Sequence, residues 1–332
     1  MTKLHEIVLS SEASRAKILP SLGGTVTSLK LLTPDELLFQ LDWQNLTTPS
    51  TENPSKNLWP GGGIPILFPF AGRVWTENNK GHYRWDGIEF PMPIHGFQYH
   101  QSQPVIEQPT NNKLILTYRY LESTLAVYPW KYELAITYKL EKNQFTITLN
   151  ISNFGKTSTK TTNSNKPLSD NQYTEQNHIM PISPGFHPYF KLDHSLADSR
   201  NHCQIAITDR RFHHVTEDGG AGKLSNNFLK PPYEAKNPFF QNLILAKKEL
   251  LNNLDQVSLI DITKGTNLTL VSNSMPFWVL WGLADKNFYC LEPWTSFPNA
   301  VSSREDNTHG SGLITLRRNE AFNCSFTIIR DN

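Results

Sequence analysis

The sequence predicts an all-β sandwich or barrel. Three observations predict it: repeated runs of apolar residues with a period of two, dense Gly, Pro and Asn punctuation, and almost no helical patterning. Residues 132–140 place Leu134, Ile136, Tyr138 and Leu140 on one face, and after a polar turn residues 145–150 do the same with Phe145, Ile147 and Leu149. Two such runs joined by a short polar turn form a β-hairpin. The pattern returns in VSLIDI, a turn at Lys264-Gly265, then NLTLVS. It recurs at the C-terminus in GLITLRR, a turn around Asn319-Glu320, then FNCSFTIIR. Shorter β-rich runs are LILTYRY, QIAIT, FWVLWGL and FYCLEPW. The best helical candidate, residues 245–254, is short and strongly polar.

A chain of 332 residues can form one large domain or two ordinary ones. Strands continue without change of character on both sides of every break, so the expectation is one domain over residues 1–332. One segment departs from the pattern. Residues 155–177 (GKTSTKTTNSNKPLSDNQYTEQN) hold almost nothing apolar and read as a mobile polar insertion.

Charge and cysteine usage exclude several classes of function. Lys+Arg of 31 against Asp+Glu of 30 leaves a net charge of +1, without the basic surplus of a nucleic-acid binder. Cys203, Cys290 and Cys324 are too few and too scattered for a disulfide framework, and they join no metal-ligand cluster. Residues 1–20 mix charges among their apolar residues, unlike a secretory signal, and no run approaches the ~20 apolar residues of a membrane span. The expectation is a soluble, cytoplasmic protein without membrane or nucleic-acid partners.

Four segments concentrate residues capable of chemistry. GGGIPILFPFAGRV ends in a lone Arg73. PMPIHGFQYH carries His95, PISPGFHPYFKL carries His187, and CLEPWTSFP carries Glu292 at the end of an apolar strand. Singly, each has an ordinary structural explanation: a strand-end charge, a satisfied histidine, a solvated carboxylate. Together, an imidazole and a carboxylate among Pro and aromatic neighbours suit complementary acid–base work near neutral pH. Phe186, Tyr189 and Trp294 are candidate walls for the apolar face of a sugar ring. No HExxH, GxSxG or GxGxxG spacing points to a metalloprotease, a hydrolase triad or a dinucleotide site.

The wording and order of these segments resemble the aldose 1-epimerase (galactose mutarotase-like) family. The resemblance runs from LPSLGGTVTSLKLL through PILFPFAGRV, HGF, SPGFHPYF and CLEPWTSFPNAV, most of the chain. It implies a single-domain β-supersandwich with few short helices. It also implies a mutarotase that interconverts hexose anomers by ring opening and reclosure, without a metal or cofactor. In that resemblance His187 matches the general acid and Glu292 the general base, while Arg73 and His95 match residues that bind the sugar near its ring oxygen. The implied partner is a monosaccharide or a sugar phosphate.

One departure bears on specificity. Where the family commonly has an acidic sugar contact, this chain offers Gln241 and Asn242, and Asp255 and Asp261 match nothing. Phosphosugar use calls for clustered cations, and Arg210-Arg211 and Arg317-Arg318 are the tight arginine pairs. A non-catalytic carbohydrate-binding protein is the competing class. It has no need of an acid–base pair. A carbohydrate lyase domain with a similar β-sandwich is a less favoured third option, because the chain has no room for a helical catalytic domain.

Overall fold

The computed structural model describes residues 5–40, 61–156, 178–193, 202–207, 210–217, 219–225, 233–234, 242–245, 254–262, 265–302 and 312–331. Among these residues two large antiparallel sheets dominate. The first has nine strands in the spatial order Tyr233–Glu234, Cys203–Ile207, Leu254–Asp261, Thr266–Asn273, Ala321–Arg330, Gln144–Lys156, Trp130–Leu140, Lys113–Arg119 and Val105–Thr110. The second has eight. Seven run in the order Ala221–Leu224, Phe212–Val215, Asn242–Leu245, Phe277–Trp281, Phe288–Trp294, Gly185–Phe186 and Ile66–Leu67, and Tyr189–Lys191 also pairs with Phe288–Trp294. A three-stranded N-terminal sheet, Ile7–Ser11, Ser14–Leu19 and Thr25–Lys30, stands beside them.

The period-2 runs explain the nine-stranded sheet directly. Trp130, Tyr132, Leu134, Ile136, Tyr138 and Leu140 are buried on one face, and Phe145, Ile147, Leu149 and Ile151 join them. Phe186, Phe190, Leu243, Leu245, Trp278, Leu280, Tyr289 and Leu291 of the second sheet belong to the same cluster. Ring contacts cross the interface: Phe326 lies 5.5 Å from Phe186 and 6.4 Å from Trp278 between ring centroids. Fully burying such side chains stabilises by about 1.5–3 kcal/mol each, and two sheets closed face to face are the result. The fold is an all-β supersandwich.

The hairpins at 132–150 and 257–271 form as expected, with Phe145 opposite Leu140 and Val257 opposite Leu270. The C-terminal one does not. Ile314–Leu316 pairs with Met180–Ile182, while Ala321–Arg330 inserts between Gln144–Lys156 and Thr266–Asn273. Its longer apolar face finds more burial inside the large sheet than in a local hairpin. The helix expected at 245–254 has Leu245 and Leu254 in strands, and its residues between them lie outside the described residues. Among the described residues the α-helix is one turn, Glu122–Leu125.

The polar insertion begins later than the composition suggested. Gly155 and Lys156 still pair with Lys131 and Trp130, and the Lys156 ammonium lies 5.4 Å over the Trp130 ring and 3.2 Å from Asp86. Residues 157–177 lie outside the described residues. No helix among the described residues is long and apolar enough to cross a membrane.

Candidate active site

The second sheet presents its other face to the chemistry. Along Phe288–Trp294, Tyr289 and Leu291 point into the core, so Cys290, Glu292 and Trp294 share the opposite face, as alternation in a strand requires. Cross-strand register extends this face into rows. Asn242 lies opposite Trp281 and Trp281 opposite Cys290; Ile244 lies opposite Val279 and Val279 opposite Glu292.

His187 follows the strand Gly185–Phe186. Phe186 turns inward against Phe326, so the next side chain emerges on the chemical face. Phe186 is therefore core material and not a sugar wall, contrary to the expectation from sequence. The His187 ring stacks parallel on Tyr189, 4.4 Å between centroids, with Trp281 edge-on at 5.8 Å. Its Nε2 lies 3.5 Å from the Glu292 carboxylate and 3.4 Å from the Tyr189 hydroxyl. The Trp294 indole N–H donates to Glu292 at 3.2 Å and holds the carboxylate in place.

His95 closes the group. Its backbone is left-handed (φ 64°), and the following Gly96 is too, at φ 76°. The turn presses Gly96 against the apolar run: a Cβ there would lie 2.1 Å from the Phe68 carbonyl oxygen. The Gly72 N–H donates to His95 Nδ1 at 3.1 Å, so the imidazole carries its proton on Nε2. The His95 ring meets His187 edge-on at 5.1 Å and Trp294 at 5.8 Å.

Burial governs the electrostatics. It pushes the Glu292 carboxyl well above its ordinary range. It pushes His187 well below the usual histidine value, with His95 adding to the effect. His95 is pushed down to about 3, by burial first and the Arg73 charge second. The Gly72 donor at Nδ1 independently demands the same neutral ring.

Three of the four residues expected from sequence, His95, His187 and Glu292, therefore meet. Arg73 stands apart at the exposed rim, where it acts on His95 through its charge. It lines an open pocket of about 350 Å³ with Trp75, Glu77, Lys80 and Glu217. Of the two residues expected in place of the family's acidic contact, Asn242 is exposed on the same face as Glu292, and Gln241 lies outside the described residues.

Two expectations need correction. Cys290 does join a cluster: one donor atom each of His187, Cys290 and Glu292 lie within 4.8 Å of one another. Its signal was legible, because Cys-x-Glu in an extended strand puts both side chains on one face. Arg210, a candidate phosphate ligand, instead forms a buried bidentate pair with Asp255 at 2.8 and 2.6 Å. Arg317 lies 3.8 Å from Glu320 in an exposed pair.

Residues 5–168, about half of the chain, match the model of the aldose 1-epimerase family. Arg73 and His95 fall within that stretch, and His187 and Glu292 lie beyond it. No curated protein sequence matches the chain. Among solved structures, the Slr1438 protein of Synechocystis sp. PCC 6803 superposes with a TM-score of 0.75 at 21% identity, over 99% of this chain and 96% of that one. A galactose mutarotase related enzyme from Lactobacillus acidophilus gives 0.72 at 19% identity, over 99% and 98%. A galactose mutarotase-like protein from Lactobacillus casei ATCC 334 gives 0.72 at 18% identity, over 98% and 100%. The first half of the chain thus carries the aldose 1-epimerase family match, and the whole chain has the fold of galactose mutarotase-like proteins.

Proposed function

We propose that the protein is an aldose 1-epimerase that interconverts the α and β anomers of a hexose, with Glu292 as general base and His187 as general acid. The observation that carries this reading is the 3.5 Å approach of His187 Nε2 to Glu292 on one buried sheet face. A binding module gains nothing from burying an acid beside a base.

The pair works with a single shared proton. In the reactive form the proton sits on His187 and Glu292 is a carboxylate, the charged arrangement of a pair whose resting arrangement is neutral. Glu292 takes the proton of the anomeric hydroxyl while His187 gives its own to the ring oxygen, and the C1–O5 bond breaks. The products are the open-chain aldehyde, a protonated Glu292 and a neutral His187. The aldehyde rotates about C1–C2. Reclosure then runs the same transfers backwards onto the other face of C1.

Ring opening thus converts an ion pair into a neutral pair. Burial raises the carboxyl and lowers the imidazole, so this site favours the neutral pair and with it the open-chain state. Both protons travel through side chains, and the chemistry needs no cofactor. His95, with its proton held on Nε2, offers a fixed donor towards the ring oxygen or a neighbouring hydroxyl. Arg73 at the rim offers further donors, and Asn242 offers a neutral amide where the family commonly has an acid.

Anomer exchange measured by saturation-transfer NMR, across free and 6-phosphorylated hexoses, tests the proposal. Exchange above the spontaneous rate on at least one hexose is expected. A protein that binds sugar yet leaves the rate of every hexose unchanged is a binding module, and the enzyme reading falls. Because Arg210 is occupied by Asp255, a free hexose is the expected substrate.

A further inference from the structure

The acid–base pair has a neighbour that proton transfer does not use. Cys290 is fully buried, two residues before Glu292 on the same face of the same strand. His187 approaches from the chain segment just ahead of Tyr189–Lys191, the strand that pairs Tyr189 with Cys290. An imidazole nitrogen, a thiol sulfur and a carboxylate oxygen come together from two segments, all within 4.8 Å.

We propose that His187, Cys290 and Glu292 form a three-ligand site for a zinc-class divalent cation, and that its occupation blocks the acid–base pair. Two ligands of a four-coordinate zinc, at about 2.0–2.3 Å from the metal, lie about 3.3–3.7 Å from each other. The His187–Glu292 separation of 3.5 Å already has that value. The donor set selects the metal. A thiolate beside an imidazole suits zinc and its soft or borderline neighbours, whereas calcium and magnesium take oxygen ligands.

The surroundings also match what a metal site requires beyond its ligands. The Trp294 indole donates to the Glu292 Oε2 that faces His187 and leaves the other carboxylate oxygen available, and the Tyr189 ring stacks on the plane of His187. Three protein ligands leave a fourth position for water or a sugar hydroxyl. On binding, the cation replaces the Cys290 thiol proton, which goes to solvent, and coordinates through His187 Nε2 and a Glu292 oxygen. Those atoms then cannot carry protons to and from a sugar. The blocking half of the inference rests on the proposed function; the metal site does not.

Cobalt(II), added alone to the purified full-length chain, is the probe. A thiolate-to-cobalt charge-transfer band at one equivalent is expected in the wild type and absent in Cys290→Ala. Zinc affinity, read by competition against cobalt, should fall on the order of 10²-fold in Cys290→Ala, the share of one ligand among four. Glu292→Gln keeps the thiol and should weaken zinc comparably, a second variant in case Cys290→Ala fails to fold. No thiolate band in the wild type, or a band surviving in Cys290→Ala, overturns the site. Zinc should stop anomer exchange in the wild type and spare it in Cys290→Ala. Undiminished exchange at metal saturation overturns the blocking claim. A cobalt band in a protein with no exchange on any hexose keeps the metal site and removes the mutarotase reading.

Discussion

Burial of the Glu292 carboxylate costs stability at neutral pH. Its folded-state pKa is raised above 4.5, so its contribution to stability is fully present below that pH and is lost as pH rises through the folded value. Each pH unit in that interval costs about 1.4 kcal/mol. Glu292→Gln removes the buried charge and keeps an oxygen for the Trp294 indole. Its thermal midpoint at neutral pH should equal or exceed that of the wild type, while exchange falls ~10²–10⁴-fold. His187→Asn should lose activity similarly. A midpoint well below wild type in Glu292→Gln would show that the carboxylate holds the fold.

The same shifts set the pH profile. The working state holds one proton on the pair, so acid inactivates by adding a second and base by removing the first. Ordinary values of 4.5 and 6.5 would confine kcat/KM to that interval. Here protonation of His187 limits the acid side from below its ordinary value, and deprotonation of Glu292 limits the basic side from above its own. The acid limb should therefore belong to His187 and the basic limb to Glu292, the reverse of the order that ordinary values give. An NMR titration in which Glu292 loses its proton at lower pH than His187 would mean that the pair titrates as if exposed. His95, His187 and Glu292, which the fold brings together, could be singled out from sequence because each stands in a short Pro- or Gly-rich motif, whereas Arg73 stands apart at the rim. Cys290 was missed because the cysteines were judged by spacing along the chain and not by which face of a strand they occupy.

Strands were legible wherever a run alternates and turns back on itself nearby, as at 132–150. Pairing between distant segments was not: Ile314–Leu316 and Ala321–Arg330 look like one hairpin and join two different sheets. Alternation reports which residues face inward and is silent on which strand lies alongside. The turn carrying His95 is also beyond pattern reading, because its need for glycine comes from Phe68, far along the chain. Gly96→Ala would put a methyl 2.1 Å from the Phe68 carbonyl oxygen, whereas Gly265, at φ 60°, has nothing within 4 Å of an added methyl. Gly265→Ala should therefore cost only the left-handed penalty of about 1–2 kcal/mol. Gly96→Ala should cost more and also weaken sugar binding, because the turn must move and carry His95 with it. Equal losses in urea denaturation, with unchanged sugar affinity, would show that the turn does not position His95.

At the scale of the whole molecule, one polar clasp joins the two sheets through their apolar interface. Asp255, on the strand Leu254–Asp261 of the nine-stranded sheet, accepts from the Trp278 indole of the second sheet at 3.1 Å and from both arms of Arg210. From sequence Asp255 was an unassigned acid and Arg210 half of a possible phosphate-binding pair. Only the folded chain shows that each is the other's partner. Removing one member leaves a buried charge without its counter-ion, which costs about 3–5 kcal/mol, whereas replacing both by apolar residues of similar volume is often neutral. Asp255→Asn should therefore lower the urea midpoint strongly, and Arg210→Met with Asp255→Leu should recover much of the loss. The double variant also separates architecture from recognition. If Arg210 serves only the clasp, the variant should bind free and 6-phosphorylated hexoses with the same ratio of affinities as the wild type. A selective loss of 6-phosphate binding would place Arg210 at the sugar, and the free-hexose assignment would have to give way to a phosphosugar.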